Sequence, residues 1–357
     1  MKLASGDRVL VTGASGFIGS AVTRQLLARD QEVIALVEPG ADTTNLDGLE
    51  VKQVVGDLRS RDSVQSVVNG CRAVFHVAAL YRFWARDPDA FYAINVDGTR
   101  NVLGAAEEAG VERLVYTSTV GTLGLEHVSG SNSANERSFP DVRHLYGSYK
   151  RSKYVAEHEV LRAIAEGLPA SLVLPTFPVG PGDRAPTPTG KLVLDFLNGR
   201  MPAFVDTVLN VAHVDDLAAG QVLVLEKGRT GRSYILGGEN LTLEQVLAEL
   251  ALLTGLPAPY AKVPNSLALA VAAVSELVEG RLLRRHPSVP LEAARMSTSR
   301  MSFDTTRARE ELGYAPRPAV EALEASARWF VGSGMVKESR VSRIRWSMTP
   351  TGHPPER

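Results

Sequence analysis

Thr12-Gly13-Ala14-Ser15-Gly16-Phe17-Ile18-Gly19 sets three glycines at a G-x-x-G-x-x-G spacing, and its flanks decide how it is read. Before it stands Val9-Leu10-Val11, a short apolar run with strand character; after it Ile18, Ala21, Val22 and Leu26 recur at helical spacing. Glycine triplets often only turn a chain. Between a strand and a helix near the start of a sequence, however, they form a dinucleotide-binding fingerprint. Gly13 permits the tight turn, Gly16 lets backbone approach a pyrophosphate, and Gly19 allows helix and strand to pack closely. Free amides at the helix N-terminus then face the phosphates, which adds Ser15, Phe17 and Ile18 to the candidate cofactor-binding residues.

Outward from this loop, β-rich runs alternate with helical patterns, the signature of a parallel sheet covered by helices. Strands are predicted at Val33–Val37, Val51–Val55, Ala73–Ala78, Leu114–Thr117 and Ser171–Leu174. Asp87-Pro88 reads as an N-cap with proline at the first helical position, opening a helix to about Ala109. A second long helix is predicted from about Gly147 to Glu166, after a polar loop from Glu126 to Arg143. Past Pro175 the rhythm breaks into a Pro- and Gly-rich boundary. A helix near Lys191–Leu197, a strand at Ser233–Leu236 and a capping box at Thr242-Leu243-Glu244-Gln245 follow. The fold expected is therefore α/β, a doubly wound parallel sheet with a smaller mixed C-terminal domain. The division reads 1–176 for the nucleotide and 177–330 for the substrate. Residues 331–357 form a tail, irregular in pattern from about Lys337 and compatible with disorder.

Composition narrows the classes. The chain has 357 residues, 44% hydrophobic and 22% charged, with 39 Lys+Arg against 40 Asp+Glu, so it carries no global electrostatic footprint for nucleic acid. The lone Cys71 excludes an intramolecular disulfide framework and a cysteine zinc site. Met1–Asp7 has no apolar signal core, and the apolar stretch Leu267–Val274 is far below the ~20 residues that span a bilayer. A soluble protein of a reducing, cytoplasmic compartment is the expectation. Leu267–Val274 itself reads as a buried helix of the smaller domain, with an apolar lid as the other reading; Arg281, Arg284 and Arg285 after it would suit an anionic headgroup.

Chemistry concentrates at four places. Glu38 stands 19 residues after Gly19, close to the ~20 expected of an acid that binds a ribose 2′-hydroxyl and repels a 2′-phosphate, so NAD is expected over NADP. No Arg or Lys immediately neighbours it in sequence. Asp57-Leu58, closing the third strand, is placed to meet adenine. Tyr146/Lys150 and Tyr149/Lys153 are overlapping i,i+4 pairs on one helix. The second leads to Ala156, Val160 and Ile164, an inward apolar stripe, so it is the pair aimed into a site. An ammonium beside a phenol favours the phenolate, so the Tyr149 pKa is expected to be lowered and the phenol to exchange a proton with substrate. Thr117-Ser118-Thr119 ends the fifth strand, at the carboxyl edge where open sheets bind ligands.

Taken in order, Thr12–Gly19, Gly56-Asp57-Leu58, Asn95-Val96-Asp97-Gly98-Thr99, Tyr116-Thr117-Ser118-Thr119, Tyr149–Lys153 and His213-Val214-Asp215-Asp216 resemble the extended short-chain dehydrogenase/reductases, the epimerase/dehydratase group. The resemblance covers roughly residues 7 to 315. It implies a Rossmann domain to which 211–236 return, and a catalytic hydroxyl on Thr119 with Ser118 as second choice. It also implies Val77-Ala78-Ala79, Pro175 and Phe177 around the cofactor with Thr117, Asn95 supporting the Tyr149–Lys153 pair through a water, and a homodimer. Arg82–Pro88, Tyr149–Lys153 and Gly199–Ala203 are similar to the dihydroflavonol-reductase-like branch, nearest within it to hopanoid-associated sugar epimerases. Two departures matter: Glu38 where NADP-using members often have Arg, and Leu209 where nucleotide-sugar enzymes usually have an Arg for the substrate pyrophosphate. Without that guanidinium a desolvated pyrophosphate is costly, although Arg200 could compensate. Three functions remain open: a reductase or dehydrogenase acting on a fairly apolar small molecule, a sugar epimerase with tightly bound NAD, and a non-catalytic dinucleotide sensor. Retention of Tyr149, Lys153 and Thr119 argues against the last.

Overall fold

The computed structural model describes residues 1–125, 132–283 and 285–347. Seven parallel strands form its main sheet: β1 (Arg8–Thr12), β2 (Glu32–Val37), β3 (Lys52–Val55), β4 (Ala73–His76), β5 (Arg113–Thr117), β6 (Ala170–Pro175) and, after three strands of a second unit, β10 (Ser233–Leu236). Their spatial order is β3-β2-β1-β4-β5-β6-β10. The order reverses direction between β1 and β4, and there the crevice above the strands' carboxyl ends opens.

Side chains along each strand alternate between two cores. Val9 and Val11 enter one, with Phe75, Val115 and Val173; Leu10 enters the other, with Val74, Leu114 and Leu172. The first core is closed by the helices Phe17–Leu27 and Val214–Lys227, the second by Arg61–Val68, Gly98–Glu108 and Ser148–Ala165. These central strands are buried on both faces, which is why they read as continuous apolar runs.

The smaller unit holds β7 (Phe177–Val179), β8 (Ala203–Val205), β9 (Val208–His213), β11 (Glu239–Thr242) and β12 (Ala261–Val263). Strand β9 pairs with β7 in parallel and with β11 antiparallel. The helices Pro188–Leu197, Leu243–Thr254 and Ala319–Gly332 close a third core over it. Thr242 and Gln245 form the expected capping box, and Gly255 ends that helix at φ +67°. The chain crosses back to the main sheet at His213–Val214, slightly later than residue 211: His213 ends β9, and its Nδ1 accepts the Asp215 amide to start the returning helix.

Three expectations need correction. The tail orders as far as residue 347: Ile344 is buried in the third core, Arg328 lies over the Trp346 ring at 4.3 Å, and the Arg345 amide donates to Thr254 O. Residues 348–357 and the 126–131 part of the polar loop lie outside the described residues. The helix after Pro88 is not uniform, because Ala93–Asp97 form a π-turn before Gly98–Glu108. Finally, the helix Asn265–Ser275 is not buried; Ala272 is its single buried residue. An all-apolar stretch reads as core only when something covers it, and among the described residues the outward face of this helix, with Leu267, Val271 and Val274, is exposed. Among the described residues no helix is long and apolar enough to cross a membrane.

Candidate active site and dinucleotide cradle

The glycine loop is built tight. Gly13 sits at φ +67°, and a Cβ on it would come within 2.8 Å of Ala78 Cα; one on Gly19 would lie 2.0 Å from Gly13 O. Phe17 begins its helix with no side-chain cap, so the loop amides are left for a ligand. Asn45 Nδ2 ties the loop to the opposite rim, donating to Ser15 O at 3.1 Å and Gly182 O at 2.9 Å. Thr12 Oγ1 accepts the Ala78 amide at 3.2 Å, which fixes the Val77–Ala79 segment beside the loop. Glu38 is the exposed residue just past β2. Arg59, remote from it in the sequence pattern, grips both Asp57 carboxylate oxygens and also feels the Glu38 charge. That grip keeps the Asp57 carboxyl below its ordinary range. Leu58 packs against Gly98. This cradle fits a dinucleotide: its close approaches are backbone to backbone, and the helix that follows it starts without a side-chain cap.

The helix Ser148–Ala165 carries the expected pair inward. Tyr149 is 7% and Lys153 2% exposed, whereas Tyr146 is 39% exposed and lies beneath Arg295. Lys153 Nζ donates to Tyr116 OH and to Thr117 O, both at 2.8 Å. Burial pushes its pKa down to about 7. Tyr149 also departs from expectation: burial raises the pKa of its phenol well above the ordinary value, a hydrogen bond with Thr119 lowers it partly, and the Glu292 charge raises it again. The phenol is therefore held protonated. Ser118 is committed elsewhere, donating to Glu157 Oε2 at 2.5 Å, which leaves Thr119 as the hydroxyl beside Tyr149. Thr117 Oγ1 is likewise turned away, to Gln221.

Asn95 lies in the π-turn, and its amide binds Ser152 Oγ at 2.9 Å and both the Leu80 amide and carbonyl. It thereby joins the Tyr149 helix to the segment leading into Tyr81. Next to it, Thr12, His76 and Thr99 form a buried chain of hydrogen bonds, with burial holding His76 neutral at a pKa of about 3.

Above Tyr149 opens a cavity of about 170 Å³. Tyr81, whose ring centroid is 4.8 Å from that of Tyr149, forms one wall with Phe83. Leu209, Leu243, Met296 and Phe303 line much of the rest. Phe177, expected at the cofactor, lines this cavity; Pro175 ends β6 nearby. Lys150 is its single cation among the described residues. Arg200 does not line it and instead pairs with Asp195 at the surface.

Glu292 could not be read from sequence. Its carboxylate comes from the helix Leu291–Ser297 to the N-terminus of the Tyr149 helix, where Gly147 offers no side-chain cap, and accepts a hydrogen bond from the Lys150 amide. A Cβ on Gly147 would meet it at 1.8 Å. It is 7% exposed, its Oε1 has no partner, and burial pushes its pKa up to about 8, with Lys150 and Arg151 opposing and Glu276 adding to the rise. The raised value means the native state binds more protons than the unfolded one between about pH 4.5 and 8, so this group's stabilising contribution is present at low pH and lost through that window. Glu292→Gln should therefore flatten the fall in melting temperature between pH 5 and 8.5, leaving the variant roughly 5 °C the more stable at the alkaline end. Parallel curves from calorimetry would remove the buried carboxyl from this account.

The fold defines a nicotinamide-dinucleotide-dependent enzyme, with Thr119 and Tyr149 lining its cavity and Lys153 buried one helical turn beyond Tyr149. The family model for the NAD dependent epimerase/dehydratase family matches residues 9–237. A protein provisionally named dihydroflavonol 4-reductase, from Synechocystis sp., is 43% identical over 340 residues, covering 94% of this chain and 98% of its own. Sterol demethylase protein B of Methylococcus capsulatus is 35% identical over 328 residues, covering 92% and 99%. Among solved structures, that of gox2253 aligns with a TM-score of 0.83 at 44% identity, over 93% of this chain and 100% of that one. This chain belongs to the NAD dependent epimerase/dehydratase family.

Proposed function

We propose that the enzyme reduces a carbonyl on a small, fairly apolar substrate, using NADH held by residues 1–176 and 214–236, while the rest of 177–330 shapes the substrate cavity. The observation that carries this is Tyr149, buried and bonded to Thr119, at the floor of a cavity walled by aliphatic and aromatic side chains, where burial favours the protonated phenol. When bound on the glycine loop, the nicotinamide supplies the hydride donor or acceptor. Tyr149 gives its phenolic proton to the substrate oxygen, and Thr119 Oγ1 holds that oxygen in line. Lys153, fixed by Tyr116 and Thr117, places positive charge beneath the helix turn that carries Tyr149. Asn95 positions the same helix through Ser152. Leu209, buried in β9 at the cavity wall, leaves a substrate pyrophosphate without a guanidinium, which disfavours a nucleotide sugar. The relative named for sterol chemistry agrees with an apolar substrate. Use of NAD and the buried thiol of Cys71 fit a cytoplasmic setting.

The test is to follow NADH absorbance with a panel of apolar ketones and dihydroflavonols. Net NADH oxidation with alcohol product supports the proposal; product formed with no net cofactor change would replace it with epimerisation. Cofactor choice gives a separate expectation. Glu38→Ala should narrow the preference for NADH over NADPH by about tenfold, or ~1.4 kcal/mol, in fluorescence titrations, because the carboxylate that repels a 2′-phosphate is gone while Arg59 remains. An unchanged ratio would remove Glu38 from the ribose site.

A further inference from the structure

The helix Asn265–Ser275 and the π-turn Glu276–Leu282 that continues it turn their aliphatic side chains outward. Leu267, Val271, Val274 and Val278 follow one another at spacings of four, three and four residues, so they share a face. They are 52%, 51%, 61% and 41% exposed, and Leu277, Leu282 and Leu283 widen the patch. An apolar face of this extent marks an interaction surface.

Its charges are arranged as well. The two acids of the segment are engaged by neighbouring groups: Glu279 accepts hydrogen bonds from Ser275 Oγ, Ser288 N and Ser288 Oγ, and Glu276 accepts one from the Leu291 amide. The flanking exposed charges are basic, Lys262 before the stripe (in an ion pair with Asp206) and Arg285 after it. Arg281 and Arg284 add two more cations in the sequence; Arg284 and the Arg281 side chain lie outside the described residues. The face also adjoins the cavity. The helix packs on Leu291–Ser297, whose Ala293 and Met296 line the cavity, and Trp84, beside the wall residue Phe83, meets the ring of His286 edge-on at 5.7 Å.

We propose that this face docks on the surface of an anionic phospholipid bilayer, and that the apolar substrate enters the cavity from there. Aliphatic side chains flanked by outward cations match acyl chains beneath anionic headgroups. A second copy of the chain matches less well, because a two-fold interface would set the basic ends of the stripe against one another. The entry route rests on the apolar-substrate reading above; the docking does not.

Full-length protein should co-sediment with vesicles of phosphatidylcholine and phosphatidylglycerol, and much less with phosphatidylcholine alone or at high salt. The double substitution Val271→Glu/Val274→Glu, at exposed positions, should lower vesicle binding at least tenfold, and Arg285→Glu roughly fivefold, with NADH binding and melting temperature unchanged. Failure of the wild type to sediment overturns the docking. So does a concentration-dependent dimer, seen by light scattering, that the double substitution dissolves. Failure of the wild type to bind NADH overturns the functional reading instead, and leaves vesicle binding to be judged on its own.

Discussion

Tyr149→Phe should lower turnover by about 10²–10⁴-fold, the range typical for loss of a positioned proton donor, while leaving NADH affinity within about twofold. The phenol oxygen bonds Thr119 at the cavity floor, and the ring is held by Tyr81, so removing the oxygen deletes the proton donor without opening a void. Thr119→Val should cost less, about tenfold to a hundredfold, since it removes an orienting hydrogen bond but leaves the proton source. The raised phenol pKa fixes the pH behaviour: Tyr149 stays protonated through the neutral range, so carbonyl reduction should not decline at pH 8 through loss of its proton. Stopped-flow measurement of NADH oxidation at saturating substrate separates these effects from binding. A Tyr149→Phe variant with unimpaired turnover would end its assignment as proton donor.

The parts of this site that were legible in sequence are those written locally. The glycine loop, the strand ends and the Tyr149/Lys153 pair each announce themselves within a few residues, through period and flanking context. The choice of Tyr149 over Tyr146 came from the apolar stripe Ala156, Val160, Ile164, and Ala156 and Val160 are indeed fully buried. What sequence did not show depends on contacts between distant segments. Glu292 caps a helix that starts at Ser148, and Tyr116 takes the Lys153 ammonium from a neighbouring strand. Glu292 belongs to no motif, and nothing local in the sequence pairs Tyr116 with Lys153. The Tyr149 pKa runs against expectation for the same reason: the spacing shows an ammonium one turn away, but in the fold that ammonium is bonded to Tyr116 and Thr117, and burial of the phenol beside Tyr81 raises its pKa. Leu267–Val274 misled in the opposite sense, because hydrophobicity reports what a side chain prefers, not whether the chain has anything to cover it.

Gly19→Ala should weaken NADH binding by about a hundredfold or more, roughly 2.7 kcal/mol, and lower the melting temperature by several degrees. The added methyl would lie 2.0 Å from Gly13 O, 2.7 Å from Gly13 C and 3.1 Å from Ala14 Cα, all backbone atoms of the loop. Gly13 cannot retreat, since its own Cα faces the Ala78 backbone on the far side and its carbonyl accepts the Gly16 amide at 3.0 Å. The strain must therefore be relieved by moving the helix Phe17–Leu27 away from β1, which carries the loop amides out of reach of a pyrophosphate and loosens Phe17, Ala21 and Val22 from the core. Gly104→Ala is the matched control. It sits in the helix Gly98–Glu108 with open space at its Cβ position, so the same methyl should stabilise the protein by about 0.5–1 kcal/mol and leave NADH binding alone. If Gly19→Ala instead behaved like Gly104→Ala in calorimetry and NADH titration, the dinucleotide would have to sit somewhere other than this loop.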